Sequence, residues 1–298
     1  MGMPLKIIDR KTKKEEIEKI YGGAFLQFLY SDNIFAKILL YLISKNSVIS
    51  HIYGLINKTS FSKVKIKPFI EKFDIDTKEF VKDVNGFSSF NDFFIRELKK
   101  EARKIEGQSS DIIIPADGRI LVFSSLSSDG FYIKGQKFSL NDFLQDDDLA
   151  EKYVDGSIVI LRLAPVDFHR FYFPIDCLPS CGNLINGSFF SVNPIALKDR
   201  IKILWQNKRY ITLLQTKSYG QIIFAEVGAC NVGSIKQTFI LGKNYKRADE
   251  KGYFSLGGSC IVMLFEKGKI VFADDLIQNS KKHIETKVKF GQMLGSMS

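Results

Sequence analysis

Histidine is scarce in this chain, with three copies in 298 residues, and tryptophan scarcer still, with one. Cys177, Cys181, Cys230 and Cys260 are scattered through a long polypeptide and give no disulfide framework. Cys177 and Cys181 flank Leu178-Pro179-Ser180, which is not a usual zinc-knuckle spacing, and with so few histidines no metal site is expected. No apolar run approaches the roughly 20 residues that span a bilayer. The longest, Ile38 to Ile43, is enclosed by Lys37 and Lys45. Met1 to Arg10 lacks the apolar stretch of a secretory leader, so the expected location is the cytosolic side. Internal repeats and low-complexity tracts are absent.

Phenylalanine and positive charge are plentiful. The 26 phenylalanines suit a large packed core and also greasy surfaces that meet lipid. A net charge of +10 calls for acidic partners, nucleic acid or an anionic membrane, unless it is simply a solvated basic face. Much of the excess is N-terminal, in Lys6, Arg10, Lys11, Lys13, Lys14 and the alternating Lys63, Lys65 and Lys67. The usual nucleic-acid-binding signatures are missing, so no nucleic acid is expected.

Apolar residues recur at three- and four-residue steps from Lys14 to Tyr30, which predicts a helix. Asp32 or Asn33 can cap a second helix running to about Asn57. That helix is apolar nearly all round, the pattern of a buried helix or of one lying in a membrane interface. From Asp111 the texture changes to short β-branched and aromatic runs punctuated by Asp-Gly and Asn-Gly. Strands are expected at 112–114, 119–124, 131–133, 157–163, 183–190, 210–215, 221–227, 234–239, 260–265 and 269–272, with one short helix from Ser139 to Leu149. The fold class is α+β: a helical region over residues 1–88, then a β-rich catalytic body over 89–298.

Three sites hold residues with chemical potential. In Leu256-Gly257-Gly258-Ser259-Cys260, a serine enters an apolar run behind two glycines, although a plain turn is the everyday reading of Gly-Gly-Ser. Pro115-Ala116-Asp117-Gly118 is a turn whose aspartate commonly bonds its own backbone. His169 stands among aromatics, where a histidine is usually packed. Asp, His and Ser are the parts of an activated nucleophile, but sequence order does not show that they meet.

These segments, with others, carry a resemblance. Phe90-Asn91-Asp92-Phe93-Phe94-Ile95-Arg96, Pro115 to Gly118, Lys134 to Leu140, Leu163 to Arg170, Asn186 to Pro194, Val227 to Ile235 and Gly257-Gly258-Ser259 appear in the order found in the phosphatidylserine decarboxylase family. The chain resembles that family from about Phe90 to Gly295 and more loosely before. Its Gly-Gly-Ser version and short tail are similar to the form in chlamydia-like bacteria. The resemblance implies that Ser259 attacks the Gly258 carbonyl and the chain parts into 1–258 and 259–298. Ser259 then becomes a pyruvoyl group, which decarboxylates phosphatidylserine to phosphatidylethanolamine through a Schiff base, with no separate cofactor. It assigns Asp117 to the relay for self-cleavage and His169 to proton transfer. The implied partners are phosphatidylserine in anionic membranes, with peripheral attachment, and a heterodimer of the two cleaved chains; a homo-oligomer is left open. One departure stands out: the second histidine of the family's His-Arg-x-His segment is Tyr172 here, a poor base near neutrality. The alternative is an uncleaved, catalytically silent membrane-binding homologue.

Overall fold

Ile261-Val262-Met263-Leu264-Phe265 has no polar side chain to turn toward water, so a strand made of it needs both faces covered. The computed structural model describes residues 5–45, 47–125, 131–133, 136–197, 200–229, 235–256 and 259–298. In it the strand Ser259–Phe265 is buried along its whole length, inside a ten-stranded sheet. From edge to edge the strands run Asn183–Ile185, Arg209–Gln215, Gln221–Gly228, Ser259–Phe265, Ser157–Leu163, Gly118–Phe123, Glu285–Val288, Lys6–Asp9 and Glu15–Ile17. A short tenth, Leu178–Pro179, pairs with Arg209–Gln215. Every neighbouring pair is antiparallel except Lys6–Asp9 against Glu285–Val288. Two three-stranded sheets and one two-stranded sheet join it: Ile235–Gln237, Glu250–Phe254 and Arg170–Tyr172, then Val271–Phe272, Met293–Ser296 and Ile112–Ile113, and finally Phe131–Ile133 with Gln136–Phe138.

The N-terminal helices are Gly23–Leu29, Ile34–Lys45, Ser47–Lys58 and Ile66–Phe73, with a 3₁₀ turn at Ser60–Lys65. Phenylalanine joins them to the body. Phe69, Phe80, Phe87, Phe90, Phe93 and Phe94 form one buried cluster with Ile66 and Leu256. Edge-to-face contacts recur in it, Phe69 on Phe90 at 5.3 Å and Phe87 on Phe93 at 5.6 Å.

Helix and strand content agree with the α+β expectation, helices leading and a β-rich body following. Several local expectations are corrected. The helix expected over Lys14 to Tyr30 is a strand, Glu15–Ile17, followed by the shorter helix Gly23–Leu29. That strand and Lys6–Asp9 belong to the main sheet, so the chain crosses the expected boundary at residue 88 before its helices begin. The second helix is capped by Asn33, whose Oδ1 accepts from Phe35 N at 2.8 Å, and it is two helices rather than one. Nor is it buried: Phe35 is 74% exposed, and Ile34, Ile38, Tyr41 and Leu42 are exposed too. Ser139 caps as expected, but only as far as Leu144; Gln145 turns left-handed and Asp146 caps a second helix, Asp147–Glu151. The strand expected to reach Phe190 stops at Ile185, because Phe190 gives its N–H and C=O to the Asn207 side chain instead of to a ladder.

One polar group sits deep in the body. Lys251 is 0% exposed and bonds to Glu226 at 2.6 Å, Gln237 at 2.8 Å and Thr212 at 3.0 Å. The rings of Phe224 and Phe239 lie 5.0 Å from its ammonium. Burial pushes the lysine down and the glutamate up, each against the other's pull. Removing one partner of such a pair strands the other, typically at about 3–5 kcal/mol. Lys251→Met is therefore expected to lose that much stability, and Lys251→Met with Glu226→Gln to recover most of it. Urea unfolding of a Ser259→Ala chain, which is expected to stay in one piece, is the measurement; equal losses in the single and double variants refute the pairing.

Candidate active site

Ser259 begins the central strand, with Gly228 opposite on one side and Leu163 on the other. It is fully buried, and among the described residues its Oγ has no hydrogen-bond partner. Unpaired buried hydroxyls are uncommon in native proteins and call for an explanation. The two glycines before it, Gly257 and Gly258, lie outside the described residues.

His169 is 0% exposed, and it too leaves a polar atom, Nε2, unpaired. Its Nδ1 is 3.1 Å from the carbonyl oxygen of Asp167. A carbonyl only accepts, so Nδ1 carries the proton and Nε2 keeps a free lone pair. Burial pulls the imidazole down to about 3, against the raising influence of Asp167, so the ring is neutral. Phe94 lies on it at 3.8 Å between ring centres. Phe94 ends the helix Phe90–Phe94, which Ser89 caps through Asp92 N at 3.1 Å. The same helix holds the approach to Ser259, because Asn91 Oδ1 accepts from Leu256 N at 3.1 Å. One short helix thus touches both the imidazole and the segment leading to the serine. No hydrogen bond joins His169 to Ser259.

Asp117 is held elsewhere. Arg103 grips its carboxylate at 2.6 and 3.0 Å, and Phe290 N donates to it at 2.8 Å. Burial still pushes the carboxyl up, with Arg103 opposing. Gly118 follows because a Cβ there would meet the Arg162 carbonyl at 2.6 Å. The Tyr172 ring stacks on Phe290 at 4.0 Å, and its N–H bonds to Pro115 O. Burial pushes its phenol up to about 12. Tyr172 is thus linked to Asp117 through Phe290, and no hydrogen bond between the described residues joins Asp117 to His169.

Two cavities flank the segment Leu163 to Phe168. One, about 420 Å³, opens toward the N-terminal helices and is lined by Phe25, Leu29, Phe69, Phe94, Leu163 and Leu256 among others. The second, about 550 Å³, is polar, with Arg96, Arg103, Asp117, Arg119 and Asp167 on its walls. Arg103 and Arg119 escaped notice in the sequence, since nothing in their surroundings marks an arginine as buried. Asp167 and Arg96 lay within quoted motifs but carried no role.

A family model described as phosphatidylserine decarboxylase matches residues 90–296. The chain is 45% identical over 289 residues to the phosphatidylserine decarboxylase proenzyme of Chlamydia pneumoniae, covering 97% of this chain and 96% of that one. It is 42% identical over 293 residues to the protein of the same name from Fusobacterium nucleatum, covering 98% and 97%. The chain belongs to the phosphatidylserine decarboxylase family. Membership makes it an enzyme of the carboxy-lyase kind.

The neutral His169 has a consequence for stability. Its folded pKa, about 3, lies below the ordinary 6.5, so the folded state binds fewer protons under acid conditions. Its contribution is complete above pH 6.5 and is lost as pH falls from there toward 3. Between pH 6.5 and pH 5 the loss amounts to about 1.5 kcal/mol. His169→Asn in a Ser259→Ala chain is expected to be less acid-sensitive than its parent by that amount, read from urea midpoints; parallel pH curves for the two would show that His169 titrates normally.

Proposed function

We propose that this chain is a self-processing phosphatidylserine decarboxylase whose Ser259 becomes a pyruvoyl group. The observation that carries the reading is the serine hydroxyl, unpaired and dry at the head of the central strand. A hydroxyl that is to be consumed gains nothing from a permanent partner. Attack of Oγ on the Gly258 carbonyl carbon breaks the Gly258–Ser259 amide and makes an ester. Loss of the Ser259 α-proton then expels the Gly258 carboxylate, and hydrolysis of the resulting enamine releases ammonia and leaves the keto group. Residues 259–265 stay where they are, sandwiched between two strands of the large chain, so the fragments remain a heterodimer. Ser259 fits such a group, because its burial shields a ketone from water while the strand fixes its orientation. The ketone supplies an amine-reactive carbonyl and a sink for the electrons that CO2 leaves behind.

His169 is the base we assign to the serine proton. Its Nε2 lone pair is open and its tautomer fixed. A buried imidazole this weakly basic makes a slow base, which suffices for a step that each molecule performs once. A second reading has its own support: Tyr172 is no base at about 12, and Asp117 is already occupied by Arg103. On that reading the chain is silent and stays whole.

Intact mass decides between them. Processing yields 1–258 and a second species, 259–298, blocked at its N-terminus, and Ser259→Ala yields one uncut chain. His169→Ala is expected to stop cleavage and Tyr172→Phe to leave it nearly intact, while Tyr172→His accelerates it tenfold or more if the lost histidine limits the rate. A wild-type chain that stays uncut establishes the silent reading. Cleavage surviving His169→Ala refutes the base.

The same reading places the enzyme peripherally on an anionic membrane. From Asn33 to Ile70 the chain has six lysines and no carboxylate. Phe35, Ile38, Tyr41, Phe61 and Val64 project from this stretch, Phe61 at 87% exposure. No single described helix is long and apolar enough to cross a membrane, and Gly23–Leu29 and Ile34–Lys45 meet at a 105° bend. Exposed phenylalanines beside lysines suit an interface, where each well-placed lysine adds about 1 kcal/mol. Phe35→Asp with Phe61→Asp is expected to weaken sedimentation with phosphatidylserine vesicles at least tenfold, and salt to weaken the parent's. Binding indifferent to both moves docking to another face.

A further inference from the structure

Glu18 is buried between the strand Glu15–Ile17 and the helix Gly23–Leu29, outside the segment that the family model matches. Its two carboxylate oxygens go to different arginines. Oε2 lies 2.7 Å from Arg162 Nη2. Oε1 lies 2.7 Å from Arg119 Nε, as an ion pair without hydrogen-bond alignment. Arg162 is held on its other side by Glu285 at 2.6 Å. Arg119 turns its other nitrogen, Nη1, to the Asp167 carboxylate. Asp167 also accepts from Ala164 N at 2.8 Å, closing the turn that begins just after Leu163, the strand partner of Ser259. Its main-chain oxygen is the acceptor for His169 Nδ1. An unbroken series of contacts runs from Glu18 through Arg119 and Asp167 to the imidazole.

We propose that Glu18 and Arg119 are positioning residues for His169, holding Asp167 so that its carbonyl selects the tautomer with a bare Nε2. The proposal builds on the assignment of His169 as the base for Ser259. Neither residue touches the serine. If Arg119 lets go, the Asp167 side chain keeps only its bond from Ala164 N, the turn loosens, and the preference for a proton on Nδ1 over one on Nε2 weakens. With the proton on Nε2 the ring presents a donor where a base needs an acceptor. Glu18 sets the fork of Arg119 by competing for the opposite edge of the guanidinium. Three residues on, Tyr21 packs on Phe69 at 5.4 Å and lines the apolar cavity. The membrane-facing arm and the base are therefore joined by one charged link.

The test uses imidazole nitrogen spectra of the ¹⁵N-labelled Ser259→Ala chain, with the His169 signals assigned by their loss on His169→Asn. The parent is expected to show His169 as a single neutral tautomer protonated at Nδ1. Glu18→Gln and Arg119→Lys are expected to replace it by a mixture or by the Nε2-protonated form. A purely structural role lowers the melting temperature and leaves the tautomer alone, and that result in folded variants overturns the proposal. If Glu18→Gln does not fold, Arg119→Lys, which keeps the charge and loses the fork, decides. In the chain with Ser259 intact, Glu18→Gln is expected to slow self-cleavage at least tenfold, and an unchanged rate also overturns the proposal. If the intact chain never cleaves, the assignment of self-processing fails, while the tautomer still reports on Glu18 and Arg119.

Discussion

The residue at position 259 is at once a serine whose hydroxyl is unpaired among the described residues and the first rung of a strand buried along its whole length. Those two roles constrain each other. A strand hemmed in on both sides gives its first residue one orientation, with Gly228 and Leu163 as lateral walls. The helix Phe90–Phe94 reaches both the segment leading into Ser259, through Asn91 and Leu256, and the His169 ring, through Phe94. The phenylalanine cluster that seats the helix is the same one that anchors the N-terminal helices to the body. Core packing, the N-terminal helices and the segment leading into the serine are thereby parts of one continuous contact system.

Strands that are apolar or alternating over several residues were legible in the sequence because period and burial agree. Ser157–Leu163 and Arg209–Gln215 stand within one residue of expectation. Misreadings came where a polar side chain or distant partner overrides local pattern. Glu15–Ile17 looked like the start of a helix and is a strand, because Lys6–Asp9 offers it a ladder. Glu250–Phe254 and Glu285–Val288 were missed: each mixes charged and apolar residues, as strands do when lysine or glutamate is satisfied by a buried partner.

The candidate site was legible residue by residue but not as an arrangement. Ser259, His169 and Asp117 were all identifiable from short motifs. That Asp117 pairs with Arg103 and not with His169 depends on the turn at residues 99–103, which has no distinguishing composition. The aromatic setting of His169 was visible in the sequence. How far burial would suppress its basicity was not, since that depends on Phe94 arriving from 75 residues upstream.

The parallel pairing of Lys6–Asp9 with Glu285–Val288 sets an order of events in synthesis. Lys6–Asp9 has one main-chain neighbour close by, Glu15–Ile17, and the other far along the chain, in a strand that also settles against Gly118–Phe123. Glu18 waits as well, since its arginine Arg162 is completed by Glu285. The stretch of sheet beyond Gly118–Phe123 is therefore complete only once Glu285–Val288 has been made. The edge that carries Glu18 and its arginines is thus assembled from segments far apart in the sequence, and a chain without Glu285–Val288 lacks that edge.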